Sequence, residues 1–269
     1  DGDGEVEAAP LYLYMGKKQR RGDFLERNGL RGGTLYVWVS HTGETRPSDF
    51  NTSGTLSGRW VAIDNTPRPA EASENGTTGY DRYGYPTQRN LWLQAEAVGA
   101  FGFSRPEDVA YNPDRTSQAV LAATGVDNYD VDPVSGNGAD TFGTVYTIDT
   151  DFHSLKADLT IVYDGDADPD RTLRSPDNLD WSDNGCVLVQ EDKAGEETLS
   201  GDEVLFGNGA ANVNEAGIVL LDPVSGATLR VASIDRSIIL DPTTSGTSVD
   251  RDAGNAGERS EERRVGKEC

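Results

Sequence analysis

Two short strings in this sequence place an acid directly after a proline. They are Arg105-Pro106-Glu107-Asp108-Val109 and Ser175-Pro176-Asp177-Asn178-Leu179, offset by 70 residues. Proline fixes its own φ and so restricts where the following side chain points. Two more acids, Glu191 and Asp192, stand at the exit of an apolar run, and the matching place in the first copy reads Thr124-Gly125. Carboxylates gathered on one axis repel one another unless cations bind. This points to Ca²⁺ or another hard cation held by Glu107, Asp177, Glu191 and Asp192. Arg105, beside such a cation, is a candidate for holding a phosphoryl oxygen, or else it pairs with a local acid. The plainer alternative is that Glu107 and Asp177 only cap a turn.

Other clusters carry less chemistry. The acids alternating from Asp164 to Asp170 have the spacing of a Ca²⁺ loop but lack its bidentate Glu at position 12, so a solvated turn is the competing reading. The stretch from Asp127 to Asp132 is similar and weaker. His41 and His153 have no His or Cys at zinc-ligand spacing. The sequence contains no Gly-x-Ser-x-Gly elbow and no phosphate loop of the Gly-x-x-x-x-Gly-Lys type.

The elements that must position these residues read as short strands. Residues 11–16, 34–40, 59–64, 119–123, 143–149, 159–163, 186–190, 218–222 and 230–234 are apolar, bounded by Gly, Asn, Asp or Pro. One short helix is expected over residues 90–100. Residues 65–90 and 193–216 read as long polar loops. Each Pro-acid string is followed by an aromatic, a turn, an apolar strand taken here as the inner one, a second strand ending in Asp, and a third strand. A unit of this kind cannot bury its faces alone and must stack on its neighbours. The expected fold is therefore all-β: a partial β-propeller of about three blades from a larger propeller, with long loop insertions. The segment 11–64 is expected to be a third unit lacking its innermost strand. A β-sandwich is the competing architecture.

Charge and composition narrow the function. The chain carries 24 Lys and Arg against 46 Asp and Glu, a net charge of −22, and only 5 of the cations are Lys. Such a surface argues against nucleic acid and anionic membranes, and no apolar run is long enough to span a bilayer. It suits saline water and predicts a marine or hypersaline source. Residues 259–269, four of them cationic, resemble an in-frame translation of a sequencing adapter. The expected organisation is a propeller domain over 1–240, an irregular segment over 241–258 and an artefact over 259–269. Without Cys269, Cys186 is alone, and it is expected to be a small core residue.

The runs Leu11–Gly16 and Phe24–Trp38, together with Phe103–Val109, Arg174–Trp181 and Val189–Asp192, resemble the PhoX-type alkaline phosphatases. The resemblance covers most of residues 11–240. It implies a β-propeller, an extracellular or periplasmic address, and a phosphomonoesterase acting on small phosphate esters with Ca²⁺ and iron (Fe³⁺) at a hub. It also implies that Glu107, Asp177, Glu191 and Asp192 are metal ligands, and that the iron ligands lie mostly outside this chain. A monomer is expected. The alternatives are a non-catalytic, calcium-stabilised exported propeller used for binding or adhesion, and a lactonase-like propeller with similar hub acids but no arginine clamp.

Overall fold

The computed structural model describes residues 8–50, 53–68, 79–125, 140–168, 170, 172–192, 198–199, 203–204 and 216–233. The expected segments 241–258 and 259–269, and the Asp127 to Asp132 stretch, lie outside them. In chain order the elements are β1 (Ala8–Pro10), β2 (Tyr12–Met15), α1 (Phe24–Asn28), β3 (Thr34–Ser40), β4 (Gly54–Ile63), α2 (Gln88–Ala97), β5 (Gly102–Ser104), β6 (Pro106–Asn112), β7 (Arg115–Ala123), β8 (Thr144–Asp151) and β9 (Lys156–Asp164). They continue with β10 (Pro176–Trp181), β11 (Val187–Glu191), β12 (Thr198–Leu199), β13 (Glu203–Val204), β14 (Gly217–Leu221) and β15 (Thr228–Ser233).

Two antiparallel meanders repeat one plan. The first runs β6-β7-β8-β9, and the second β10-β11-β14-β15, with the β12-β13 hairpin inserted between its second and third strands. Each is a four-stranded meander of the size of a propeller blade. The apolar run Ala119–Ala123 is continuous because β7 is buried on both faces. Val120 and Ala122 point into a core shared with Leu179, Trp181, Val187, Val189, Val219 and Leu221 of the second sheet. Leu121 and Ala123 point the other way, into a core with Trp38, Trp60, Phe101, Phe103 and Tyr146. Alternation of side chains along a strand, with a hydrophobic surface on either side, produces this run.

The strands read from sequence are present, with ends shifted by a few residues. The Pro-acid strings, however, are strands in their own right. β6 and β10 begin at Pro106 and Pro176 and are the first strands of their sheets. The strands taken as innermost, β7 and β11, are the second ones. A proline at the head of a strand needs no ladder partner for its missing N–H, so it starts an edge strand without cost.

The N-terminal segment is arranged differently from a third stacked blade. β2, β3 and β4 form a meander whose last strand pairs antiparallel with β9, Gly54 opposite Ile161 and Arg59 opposite Lys156. The result is a seven-stranded sheet, β2-β3-β4-β9-β8-β7-β6. It curls, so that Trp38 and Trp60 from one end meet Leu121 and Ile148 from the other in one core. Trp38 donates its indole N–H to the Ala157 carbonyl at 3.1 Å, and Trp60 donates to Thr150 Oγ1 at 3.2 Å. The rings of Trp38, Phe101, Phe103 and Tyr146 follow one another edge to face, with centroids 6.0, 4.9 and 5.3 Å apart. The expected helix is α2, capped by Thr87, with Ala95 and Leu91 packed on Val37 and Ile63. A second, five-residue helix, α1, follows Asp23, whose carboxylate and Glu26 close a capping box.

Candidate functional site

The two Pro-acid strings have the same backbone in both sheets. Arg105 and Ser175, each just before its proline, have φ of +50° and +44°. Neither is glycine, and a residue before proline is pushed away from helical conformations, so both positions store strain. The surrounding hydrogen bonds hold them. The Arg105 carbonyl accepts from Thr124 N at 2.9 Å and the Ser175 carbonyl from Asp192 N at 2.9 Å, while Ser175 N donates to the Phe142 carbonyl at 2.8 Å. Directly after each proline the ladder slips. Pro106 pairs with Ala123 but Asp108 with Ala122, and Pro176 pairs with Glu191 but Leu179 with Val189. Glu107 and Asp177 therefore sit in matching β-bulges, which re-aim a side chain out of the regular alternation. By this register the counterparts of Glu191 and Asp192 are Ala123 and Thr124, one residue before the expected Thr124 and Gly125.

Two bonds staple the sheets together, one from the first strand β6 and one from Thr124 just after β7. Asp108 Oδ2 accepts from Leu179 N at 3.0 Å, and Thr124 Oγ1 donates to the Pro176 carbonyl at 2.7 Å. The bulge at Asp177-Asn178 frees the Leu179 N–H for Asp108. Asp108 was invisible as a functional residue because the slip that needs it belongs to the pairing, not to the string.

Across this seam Arg105 reaches from one sheet to the other. Its Nη2 lies 3.5 Å from Glu107 Oε1 and 3.6 Å from Asp192 Oδ2. The guanidinium is one-quarter exposed, Glu107 rather more so, and Asp192 is nearly buried. Asp177 is half-buried and accepts from Asn178 Nδ2 at 2.9 Å. Arg105 thus stands between Glu107 and Asp192, and Asp177 lies at the matching bulge of the second sheet.

Glu191 stands apart from them. It is fully buried, and both its oxygens are committed: to Arg230 Nη1 and Nη2 at 2.7 and 2.9 Å, to Arg174 N at 3.0 Å and to Gly217 N at 2.9 Å. Burial pushes its carboxyl upward against the downward pull of Arg230 and Arg174. A metal on Glu191 would have to displace Arg230. Cys186 is half-buried at the turn between β10 and β11, not in the core, with its carbonyl accepting from Ser182 N and Oγ. It lies at the end of β11 opposite Glu191, so it offers no thiolate to the Arg105 seam and an iron–thiolate centre does not fit there. Glu107, Asp177 and Asp192 have the hard oxygens that calcium takes. Among the described residues, though, no three acids, histidines or cysteines already stand around one metal position.

A second group of acids lies at the same end of the first sheet. Pro106, Ala123, Thr144 and Asp164 form one cross-strand row. Asp164 is buried, and burial pushes its carboxyl up to about 6. Asp140 is also buried, and its carboxyl is raised by burial first and then by the charges of Asp166 and Asp164.

The sequence matches the family described as alkaline phosphatase PhoX over residues 2–232. No curated protein matches the chain. Among solved structures, Pseudomonas fluorescens PhoX in complex with vanadate, a transition state analogue, is similar, with a TM-score of 0.50 and 19% identity. The alignment covers 81% of this chain and 41% of that one, so the chain spans about two-fifths of that protein's length. At this identity the likeness concerns the fold, and it agrees with the mostly-β, curled, propeller-like architecture.

Proposed function

We propose that this chain, which belongs to the alkaline phosphatase PhoX family, supplies one side of a site that hydrolyses small phosphate monoesters. The observation that carries the reading is Arg105. It is held on a strained backbone at φ +50° and spans the seam between Glu107 and Asp192. A guanidinium presents a rigid fork of N–H donors that matches phosphoryl oxygens. Its Nη2 lies 3.5 Å from Glu107 Oε1 and 3.6 Å from Asp192 Oδ2, at the seam where an incoming phosphoryl group would meet it. Glu107 and Asp192 orient it beforehand, which lowers the cost of ordering it on binding. The Asp108 and Thr124 staples keep the two sheets, and therefore the two acids, in register.

Glu107, Asp177 and Asp192 are the residues that would hold calcium, with further ligands from outside these three. A hard cation bound there would polarise a phosphoryl oxygen and offset the charge that develops in the transition state. The net charge of −22 makes such cations the natural counterweight, since an anionic substrate approaches this surface only where positive charge is concentrated. The acidic, Lys-poor surface supports an exported, periplasmic or extracellular protein working in saline water, and a monomer. Among the described residues no helix is long and apolar enough to cross a membrane.

The test is turnover of p-nitrophenyl phosphate by the product of the complete gene, with added calcium. Arg105→Ala should lower kcat/KM by about a hundredfold, with Arg105→Lys in between, because a point charge replaces only part of the fork. Glu107→Gln should weaken calcium binding. Wild-type turnover that survives Arg105→Ala intact would overturn the assignment.

A further inference from the structure

We propose that the loop between β2 and β3, residues 16–33, docks this protein onto a membrane surface rich in anionic lipid. The loop holds Lys17, Lys18, Arg20, Arg21, Arg27 and Arg31 against Asp23 and Glu26. Six of the chain's 24 cations therefore stand within fifteen residues of a protein whose net charge is −22. All six are exposed. The two acids are occupied: Asp23 and Glu26 close the cap of α1, and Asp23 also takes Arg31 at 2.7 Å. Among the described residues, no carboxylate pairs with Lys17, Lys18, Arg20 or Arg21. Beside these cations three large apolar side chains face water: Phe24 is 64% exposed, Leu25 42% and Leu30 52%. No residue of α1 is buried.

The loop keeps its shape from within. Its ends are joined by the pairing of Met15 with Thr34, and its neck is closed where a Cβ on Gly16 would stand 1.5 Å from the Gly29 carbonyl oxygen. Gln19 N donates to the Glu26 carbonyl at 3.0 Å, Leu30 N to the Leu25 carbonyl at 2.8 Å and Asn28 Nδ2 to the Phe24 carbonyl at 2.8 Å. A compact loop of this kind presents its side chains on a fixed frame. Apolar side chains set among cations are the composition of an interfacial anchor: the cations meet headgroup phosphates while Phe and Leu enter the acyl boundary. An acidic soluble partner would use the cations but leave Phe24, Leu25 and Leu30 in water, so the lipid surface fits better. The acidic average of the whole chain argues against anionic membranes, but the loop departs from that average. Salt screens charges more than about 10 Å apart at 0.1 M, so a surface touching the loop feels the loop first. Each cation held near an anionic leaflet strengthens binding about fivefold. In more saline water that gain shrinks, and the apolar side chains keep the loop in place.

The inference does not depend on the phosphatase reading, and it is tested without turnover. The full chain is sedimented at low salt with vesicles of phosphatidylcholine alone and of phosphatidylcholine mixed with phosphatidylglycerol. It should bind the mixed vesicles about tenfold or more tightly than the neutral ones. Arg20→Ser with Arg21→Ser should weaken that binding about twentyfold, whereas Arg20→Lys with Arg21→Lys should keep most of it. Phe24→Gln with Leu25→Gln should weaken it about tenfold or more, yet leave binding to dextran sulfate, a polyanion without acyl chains, unchanged. Arg89→Ser, at an exposed cation of α2, should have no effect on vesicle binding. All these positions are exposed, so each variant should melt with the wild type. Equal binding to neutral and mixed vesicles, or none to either, would overturn the proposal. So would full vesicle binding by the Phe24→Gln, Leu25→Gln variant, which would make the loop a site for soluble polyanions instead.

Discussion

Replacing Arg230 with methionine isolates what Glu191 does. Glu191 is fully buried and takes four hydrogen bonds at 2.7–3.0 Å, two of them from Arg230. With Arg230 gone, a carboxylate remains in a buried site with the Arg174 and Gly217 amides and only the partial compensation of the Arg174 charge. Breaking a buried pair on one side costs about 3–5 kcal/mol. Glu191→Met instead orphans those two amides, at about 1–3 kcal/mol each, while Arg230, whose side chain is 16% exposed, can turn outward. The double variant should cost clearly less than the two singles together, because neither Glu191 nor Arg230 is left without the other. The cost of Arg230→Met should shrink between pH 8 and pH 5. Burial already raises the Glu191 carboxyl, and without its partner the acid escapes by taking a proton. Urea unfolding at both pH values, with the full mutant cycle, measures this. A cost below about 1 kcal/mol for Arg230→Met, or one that is independent of pH, would refute the reasoning and return Glu191 to the pool of available metal ligands.

Three further outcomes follow from the same geometry. Asp108→Ala should lower stability by about 1–3 kcal/mol in urea unfolding, since the Leu179 N–H loses its acceptor, whereas Asp108→Asn, which keeps an acceptor oxygen, should cost much less. Gly143→Ala should destabilise by about 2 kcal/mol or more in the same assay, because φ is +85° and the new Cβ would stand 2.5 Å from Pro176 Cδ and 2.6 Å from the Ala123 and Thr124 carbonyl oxygens. In chelator, Tm should fall as pH rises from 5 to 8. Asp164, raised to about 6, stabilises the fold below its unfolded value and loses that contribution as pH passes through 6, and Asp140 acts in the same sense. The lowered exposed acids Asp64, Asp151 and Asp222 keep their contribution throughout that window, so they do not mask it. Differential scanning fluorimetry across pH checks the sign.

Much of the fold was legible in local pattern. The run Ala119–Ala123 announces a strand because a β-strand covered on both faces leaves no position for a polar side chain. The repeat of Pro106-Glu107 in Pro176-Asp177 marked two equivalent places, since a proline followed by an acid is a local feature, but it read them as turns rather than as bulged strand heads. The stacking of two similar sheets follows from the apolar faces such runs create.

The pairing of β4 with β9 was not legible. Strand edges join through backbone N–H and C=O groups that every residue carries, so Thr55 and Thr160 meet across 105 positions with nothing in either string to announce it. The fates of the acids were equally hidden. Glu107 and Glu191 are the same residue type on matching ends of neighbouring sheets, yet one is exposed beside Arg105 and the other is locked to Arg230, a partner 39 residues away. Asp140 and Asp164 are 24 residues apart, and only the folded chain buries each of them. By itself, then, the sequence determined which segments are strands and which residue types stand at their ends, because those depend on side-chain alternation and proline geometry. Tertiary structure alone decided which carboxylate is locked in a buried pair and which stands exposed beside an arginine, because burial and charge partners are set by distant chain.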